Sequence, residues 1–121
     1  MTIEPTGMTV QLYVGEIGAA RDWFSSLFGR KPDFQPRDDF AEWQFRPGSW
    51  EIHVVEGEPA SSQRAYLRFG VSDIAATRTR LAEEGVEVSE VEELPDVVRW
   101  CNFDDPWGNR LGLYQDLSRW P

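Results

Sequence analysis

The order of hydrophobic periods along the chain predicts an α+β protein of two βαβββ modules, about residues 8–57 and 64–117, joined by a linker at about 56–63. Three observations lead there. Stretches of period two and of helical period follow one another in the same order twice: strand, helix, strands, hairpin. Landmarks recur at nearly constant spacing, Val14 to Val71, Gly29 to Gly85 and Phe45 to Phe103, offsets of 57, 56 and 58. Between the copies lies EGEPASSQ, a small, polar stretch containing Pro59. Each module leaves one sheet face open, so pairing the modules side by side would build a curved mixed sheet around a cleft lined by the polar sides of the strands.

Residues 9–14 (TVQLYV) alternate, with Val10, Leu12 and Val14 on a core face and Thr9, Gln11 and Tyr13 opposite. From Ile17 the period changes. Ala20, Trp23, Phe24, Leu27 and Phe28 share one helical stripe, and Gly29 supplies the left-handed residue that stops the helix. Pro32 and Pro36 punctuate the connection to FAEWQF (40–45), which pairs through the turn Arg46-Pro47-Gly48-Ser49 with WEIHVV (50–55). In the second module AYLRFGV (65–71) reads as a strand. Ser72 or Asp73 caps a helix with Ile74, Thr77, Arg78, Leu81 and Ala82 on its buried stripe, and Gly85 closes it. Residues 86–91, 97–103 and 111–114 read as further strands, the last two joined by the turn DDPWGN.

Composition narrows the function. With 121 residues there is room for one respectable core or two small modules, which rules out a multidomain enzyme. Acids outnumber bases 21 to 12, and both halves share the surplus, so nucleic acid is not an expected partner and a neutral or cationic ligand fits better. No apolar run reaches the roughly 18 residues of a membrane span. The opening MTIEPTGMTV has neither the basic nor the apolar region of a signal peptide, so a cytoplasmic location is expected. The single cysteine, Cys101, allows no internal disulfide and reads as a small core hydrophobe.

The segment FDDPWGNRLGLY resembles the signature of the vicinal oxygen chelate superfamily, in which a strand ending in Phe runs into Asp-Pro-x-Gly-Asn and a closing strand. TVQLYVGEIGAARDWFSSLFG and YLRFGVSDIAATRTRLAEEGVEV are similar to the opening strand and helix of its two modules. The resemblance extends from about Thr9 to Leu117 and implies the glyoxalase/bleomycin resistance fold. Metal-dependent members hold a divalent ion with His or Gln from the opening strands and Glu from the closing strands. The matching positions in this chain are Thr9, Tyr66 and Gly112, none a useful ligand, so no metal or other cofactor is expected. Among metal-free members the resemblance is to the bleomycin resistance proteins, which implies an antibiotic-resistance role and a small, acidic homodimer that sequesters its ligand unchanged. DDFAEW (38–43) and Pro5, near an extended N-terminus, are similar to parts of that group.

Alternation places Thr9, Gln11, Tyr13, Glu42, Gln44, Glu51, His53, Tyr66, Arg68, Trp100, Asn102 and Tyr114 on the cleft face. Rings stack on planar groups, and carboxylates beside them attract cations, so these residues, Thr9 aside, are the expected ligand contacts. Trp23, Phe24, Phe28, Phe45, Trp50 and Phe103 are expected in the core. Trp43 is left open; Trp107, in a turn, is expected to be exposed at a rim or dimer contact. The leading expectation is a protein that binds a small aromatic or cationic compound without changing it. The alternative is a lyase, isomerase or dioxygenase in which Glu51 and His53, two residues apart on one strand face, act as base and orienter, with or without a divalent metal.

Overall fold

The computed structural model describes residues 2, 4, 6, 8–46, 50–58 and 65–118. The chain divides into two compact units, Met1–Ala60 and Ser61–Pro121.

In the first unit, β1 (Met8–Val14) is followed by α1 (Ile17–Phe28), β2 (Phe40–Phe45) and β3 (Trp50–Glu56). The sheet order is β1-β3-β2. β3 is parallel to β1, with Gln11 opposite His53, and antiparallel to β2, with Glu42 opposite His53. One face carries Val10, Leu12, Val14, Ile52, Val54, Ala41 and Trp43, against which α1 buries Ile17, Ala20 and Phe24. Trp43 is fully buried in this layer, its Nε1 donating to the Arg30 carbonyl at 3.0 Å. Phe24 and Phe28 lie 6.0 and 5.5 Å from its ring. Phe45 stacks on Trp50 at 4.6 Å, both half-buried, as are Trp23 and Phe28. Of the six aromatics expected in the core, only Phe24 and Phe103 are fully enclosed; the other four form its rim, because a three-stranded sheet and one helix are too narrow to cover them.

The first N–H groups of α1 are satisfied by acids. Glu16 accepts from Gly18 and Ala19 at 2.7 Å each, which holds its carboxyl below the usual range, and Glu56 accepts from Ile17 at 3.2 Å. Gly29 ends the helix at φ 71. Between α1 and β2 no further strand forms among the described residues, only the bridge Phe34↔Glu42. The Asp33 carboxylate, tied to Arg30, accepts the Gln44 N–H at 2.7 Å, and these two partners lower its pKa. A side chain thereby takes a ladder bond that a neighbouring strand would have supplied, and Pro32 and Pro36 cannot donate one. Residues 47–49 of the expected turn, the linker residues 59–64 and Pro5 lie outside the described residues.

The second unit runs β4 (Leu67–Gly70), α2 (Ile74–Glu83), β5 (Glu92–Leu94), β6 (Val98–Asp104) and β7 (Arg110–Asp116), with sheet order β4-β7-β6-β5. Asp73 caps α2 through Ala76 N–H, Gln115 accepts from Ile74 N–H at 2.9 Å, and Gly85 follows the helix at φ 85. Ile74 and Leu81 are buried, whereas Ala82, expected on the buried stripe, is exposed. Cys101, Phe103, Leu111 and Leu113 complete the core.

Three expectations need correction. Residues 86–91 are not a strand, because the Arg78 guanidinium takes the Val88 and Ser89 carbonyls, at 3.2 and 2.8 Å, that a strand would offer a neighbour. The strand is β5 instead, turned onto β6 by Pro95 and by Asp96 at φ 64, with Val97 N–H bonded to the Leu94 carbonyl at 3.0 Å. Tyr66 lies outside β4, which begins only at Leu67. Trp107 is half-buried rather than exposed, because its backbone N–H is drawn to Asp105 Oδ1 at 2.9 Å within a tight turn.

Candidate functional site

The face of the first sheet opposite α1 follows from the register. Rows across β1, β3 and β2 read Thr9, Glu51, Gln44; then Gln11, His53, Glu42; then Tyr13, Val55, Phe40. Strand alternation puts all nine on one side. The middle row is the chemically dense one. His53 Nε2 stands 3.0 Å from Glu42 Oε1 and 3.0 Å from Glu51 Oε1, and Gln44 Nε2 donates to Glu42 Oε2 at 2.7 Å. Ligand atoms of Glu42, Glu51 and His53 all fall within 4.8 Å of one another. Glu42 is 7% exposed, an uncommon position for a carboxylate unless it is paired. The Phe40 ring lies 5.0 Å from the imidazole. Tyr13 is half-exposed beside Gly57 and takes a hydrogen bond from Gln11 at 2.7 Å.

Among the described residues neither Glu42 nor Glu51 has an Arg or Lys partner. Two carboxylates converging on one imidazole leave at least one negative charge without a matching positive one. Glu42 was foreseen only as one charge among the contacts; its junction with Glu51 and His53 comes from the β2/β3 register.

The second sheet's polar face carries Arg68, Gly112 and Asn102 in one row and Gly70, Tyr114, Trp100 and Glu92 in the next. Arg68 Nε donates to Asn102 Oδ1 at 2.9 Å, and the guanidinium lies 4.9 Å from the Tyr66 ring centre. Tyr114 rests against Gly70, where a Cβ would come within 2.9 Å of the phenol. Of the predicted contacts, Gln11, Tyr13, Glu42, Gln44, Glu51 and His53 thus lie on the polar face of the first sheet and Arg68, Trp100, Asn102 and Tyr114 on that of the second, with Tyr66 just before β4. Trp43 is absent from both faces, being sealed under α1.

The positions that correspond to metal ligands in metal-dependent relatives do not fit an ion. Thr9 is exposed, Tyr66 is flanked by two guanidinium groups, and Gly112 has its Cβ position crowded by the Cys101 carbonyl at 2.7 Å and Arg68 Cγ at 2.8 Å.

The family model for the Glyoxalase/Bleomycin resistance protein/Dioxygenase superfamily matches residues 8–113. The chain belongs to this superfamily. A glyoxalase/bleomycin resistance protein from Catenulispora acidiphila is 30% identical, with a TM-score of 0.71 over 90% of this chain and 96% of that one. TnmS3, an antibiotic binding protein from Streptomyces sp. CB03234, is 25% identical with a TM-score of 0.76, covering 96% of this chain and 98% of its own. A lactoylglutathione lyase from Agrobacterium tumefaciens shares the fold at 15% identity and a TM-score of 0.71, over 91% and 92% of the two chains. No curated protein matches the chain. No described helix of this superfamily member is long and apolar enough to cross a membrane.

Proposed function

We propose that this superfamily member binds a small cationic, ring-bearing compound, an antibiotic among the candidates, and releases it unchanged. The observation that carries the reading is the charge imbalance on the first sheet: Glu42 and Glu51 share a single imidazole and have no Arg or Lys partner among the described residues, with Tyr13 and Phe40 on the same face. A cationic group seated there supplies the missing positive charge, and the rings take up its flat apolar part. That TnmS3 is an antibiotic binding protein supports a binding role. The homodimer and the cytoplasmic location implied by sequence are part of the same proposal, and light scattering on the purified protein tests the former.

Titration with ethidium, a planar cation, and with a panel of cationic antibiotics tests the reading. Removing one charge about 4 Å from a bound cation is worth about 1 to 4 kcal/mol between water and a partly buried site, so Glu42→Gln should weaken binding at least about fivefold. Mass spectrometry should recover the ligand intact; chemical turnover would sink the proposal.

A second reading is favoured by the geometry of the same three residues. Glu42, Glu51 and His53 offer two carboxylate oxygens and an imidazole nitrogen, a donor set that suits a divalent ion, whose role would be to polarise a bound oxygen. Without an ion, His53 flanked by carboxylates is suited to moving a proton. This enzymatic reading expects a metal-to-protein ratio near one after purification, or a reaction lost in His53→Ala. A metal-free protein with no such reaction excludes it.

A further inference from the structure

We propose that the second sheet carries an oxyanion site of its own, which takes the carboxylate or similar planar anion of a flat aromatic ligand through Arg68. The inference is independent of the reading of the Glu42 face. Among the described residues Arg68 pairs with no carboxylate. It is nonetheless held at three points. Its Nε is spent on Asn102 Oδ1 at 2.9 Å; its plane sits 4.9 Å from the Tyr66 ring centre; and its stem crosses the sheet at Gly112, where a Cβ would stand 2.8 Å from Arg68 Cγ and 3.0 Å from Asn102 Oδ1. These restraints leave the two terminal nitrogens without a hydrogen bond among the described residues, forming the fork that carboxylates accept.

A second cation converges on the same place. The Arg110 guanidinium lies 5.5 Å from the centre of the Tyr66 ring that Arg68 also covers. On the neighbouring row, Trp100 faces Tyr114 across the β6/β7 ladder, a half-exposed aromatic pair on the same side of the sheet as Arg68. An anion on a flat ring therefore meets charge at Arg68 and stacking surface at Trp100 and Tyr114. Asn102 is a positioning residue in this arrangement, fixing the fork without touching the ligand.

Calorimetric titration of the full chain with 1-naphthoate, the neutral 1-naphthamide and acetate tests the assignment. Naphthoate should bind, with naphthamide and acetate each at least tenfold weaker. Arg68→Gln should lose at least tenfold in naphthoate affinity at an unchanged Tm. Arg68→Lys, which keeps the charge but not the fork, should recover only part, and Asn102→Ala should fall between Arg68→Gln and the wild type. Naphthoate binding by Arg68→Gln as tight as in the wild type overturns the proposal, and so does failure of the wild type to bind naphthoate at millimolar concentration. Equal affinity for naphthamide removes the anion, and equal affinity for acetate removes the ring. Failure on any of these counts leaves ethidium binding at Glu42 and Glu51 as a separate question.

Discussion

Replacing His53 with alanine probes the charge arrangement of the first sheet directly. The imidazole nitrogen stands 3.0 Å from one oxygen of Glu42 and 3.0 Å from one oxygen of Glu51. Once it is gone, two carboxylate oxygens no more than 4.8 Å apart face each other with nothing between them. Two unit charges at that separation repel by about 3.5 kcal/mol at an effective dielectric of 20 and by about 0.9 kcal/mol in water. The Glu42 side chain is 9% exposed and that of Glu51 26%, so the site lies between these limits and His53→Ala should cost about 2 kcal/mol. Glu42→Gln in that background removes the repulsion, so the double variant should be more stable than His53→Ala alone. Urea unfolding followed by tryptophan fluorescence measures all four corners of the cycle, and the expected coupling between the two sites is at least about 1 kcal/mol. If the two effects add to within about 0.4 kcal/mol, the imidazole is not holding the carboxylates together and the charge argument fails.

Two further outcomes are expected. Trp43→Phe gives up the bond to the Arg30 carbonyl and part of a fully buried ring, so the urea midpoint should fall by the equivalent of about 2 to 3 kcal/mol at an unchanged slope; a loss below about 0.5 kcal/mol would contradict the packing. Burial raises the Asp105 carboxyl above its ordinary value of 3.8, against the opposing pull of hydrogen bonds from Asn109 and Trp107. A raised acid favours the folded state at low pH and gives up that contribution as pH climbs through the folded value. The Tm of the wild type relative to Asp105→Asn should therefore decline as pH rises above the ordinary value of 3.8, and a relative Tm that rises instead refutes the assignment.

Much of the fold was legible because strand alternation and helix stops are local. Val10, Leu12 and Val14 needed only their own spacing to declare a core face, and Gly29 and Gly85 only their place after an apolar stripe. The meeting of Glu42 with His53 was one step further off: Phe45 pairs with Trp50, and counting back along β2 and forward along β3 from that pair brings the two together. What local pattern could not show was competition from distant side chains. VEVSEV at 86–91 begins with the alternation of a strand, yet Arg78 on α2 claims the Val88 and Ser89 carbonyls. In the same way Asp33 takes a ladder bond, and an indole able to line a polar surface is instead buried under α1, where its N–H finds the Arg30 carbonyl. Long polar side chains reach across the unit, and their reach is not written in neighbouring residues.

The strand orders β1-β3-β2 and β4-β7-β6-β5 have a consequence for how the chain is made. In both units the strand synthesised last lies between earlier ones, so β1 has no partner until β3 has emerged from the ribosome, and β4 waits for β7. Each sheet closes late, by insertion, and its parallel pairing carries the loop-closure cost of everything in between. The last strand also brings the residue that completes the helix cap, Glu56 for α1 and Gln115 for α2. A chain that stops short of β7 therefore loses the middle of its second sheet and the start of its second helix at one stroke, and a ribosome that pauses just before that strand holds exposed two edges able to pair with another chain.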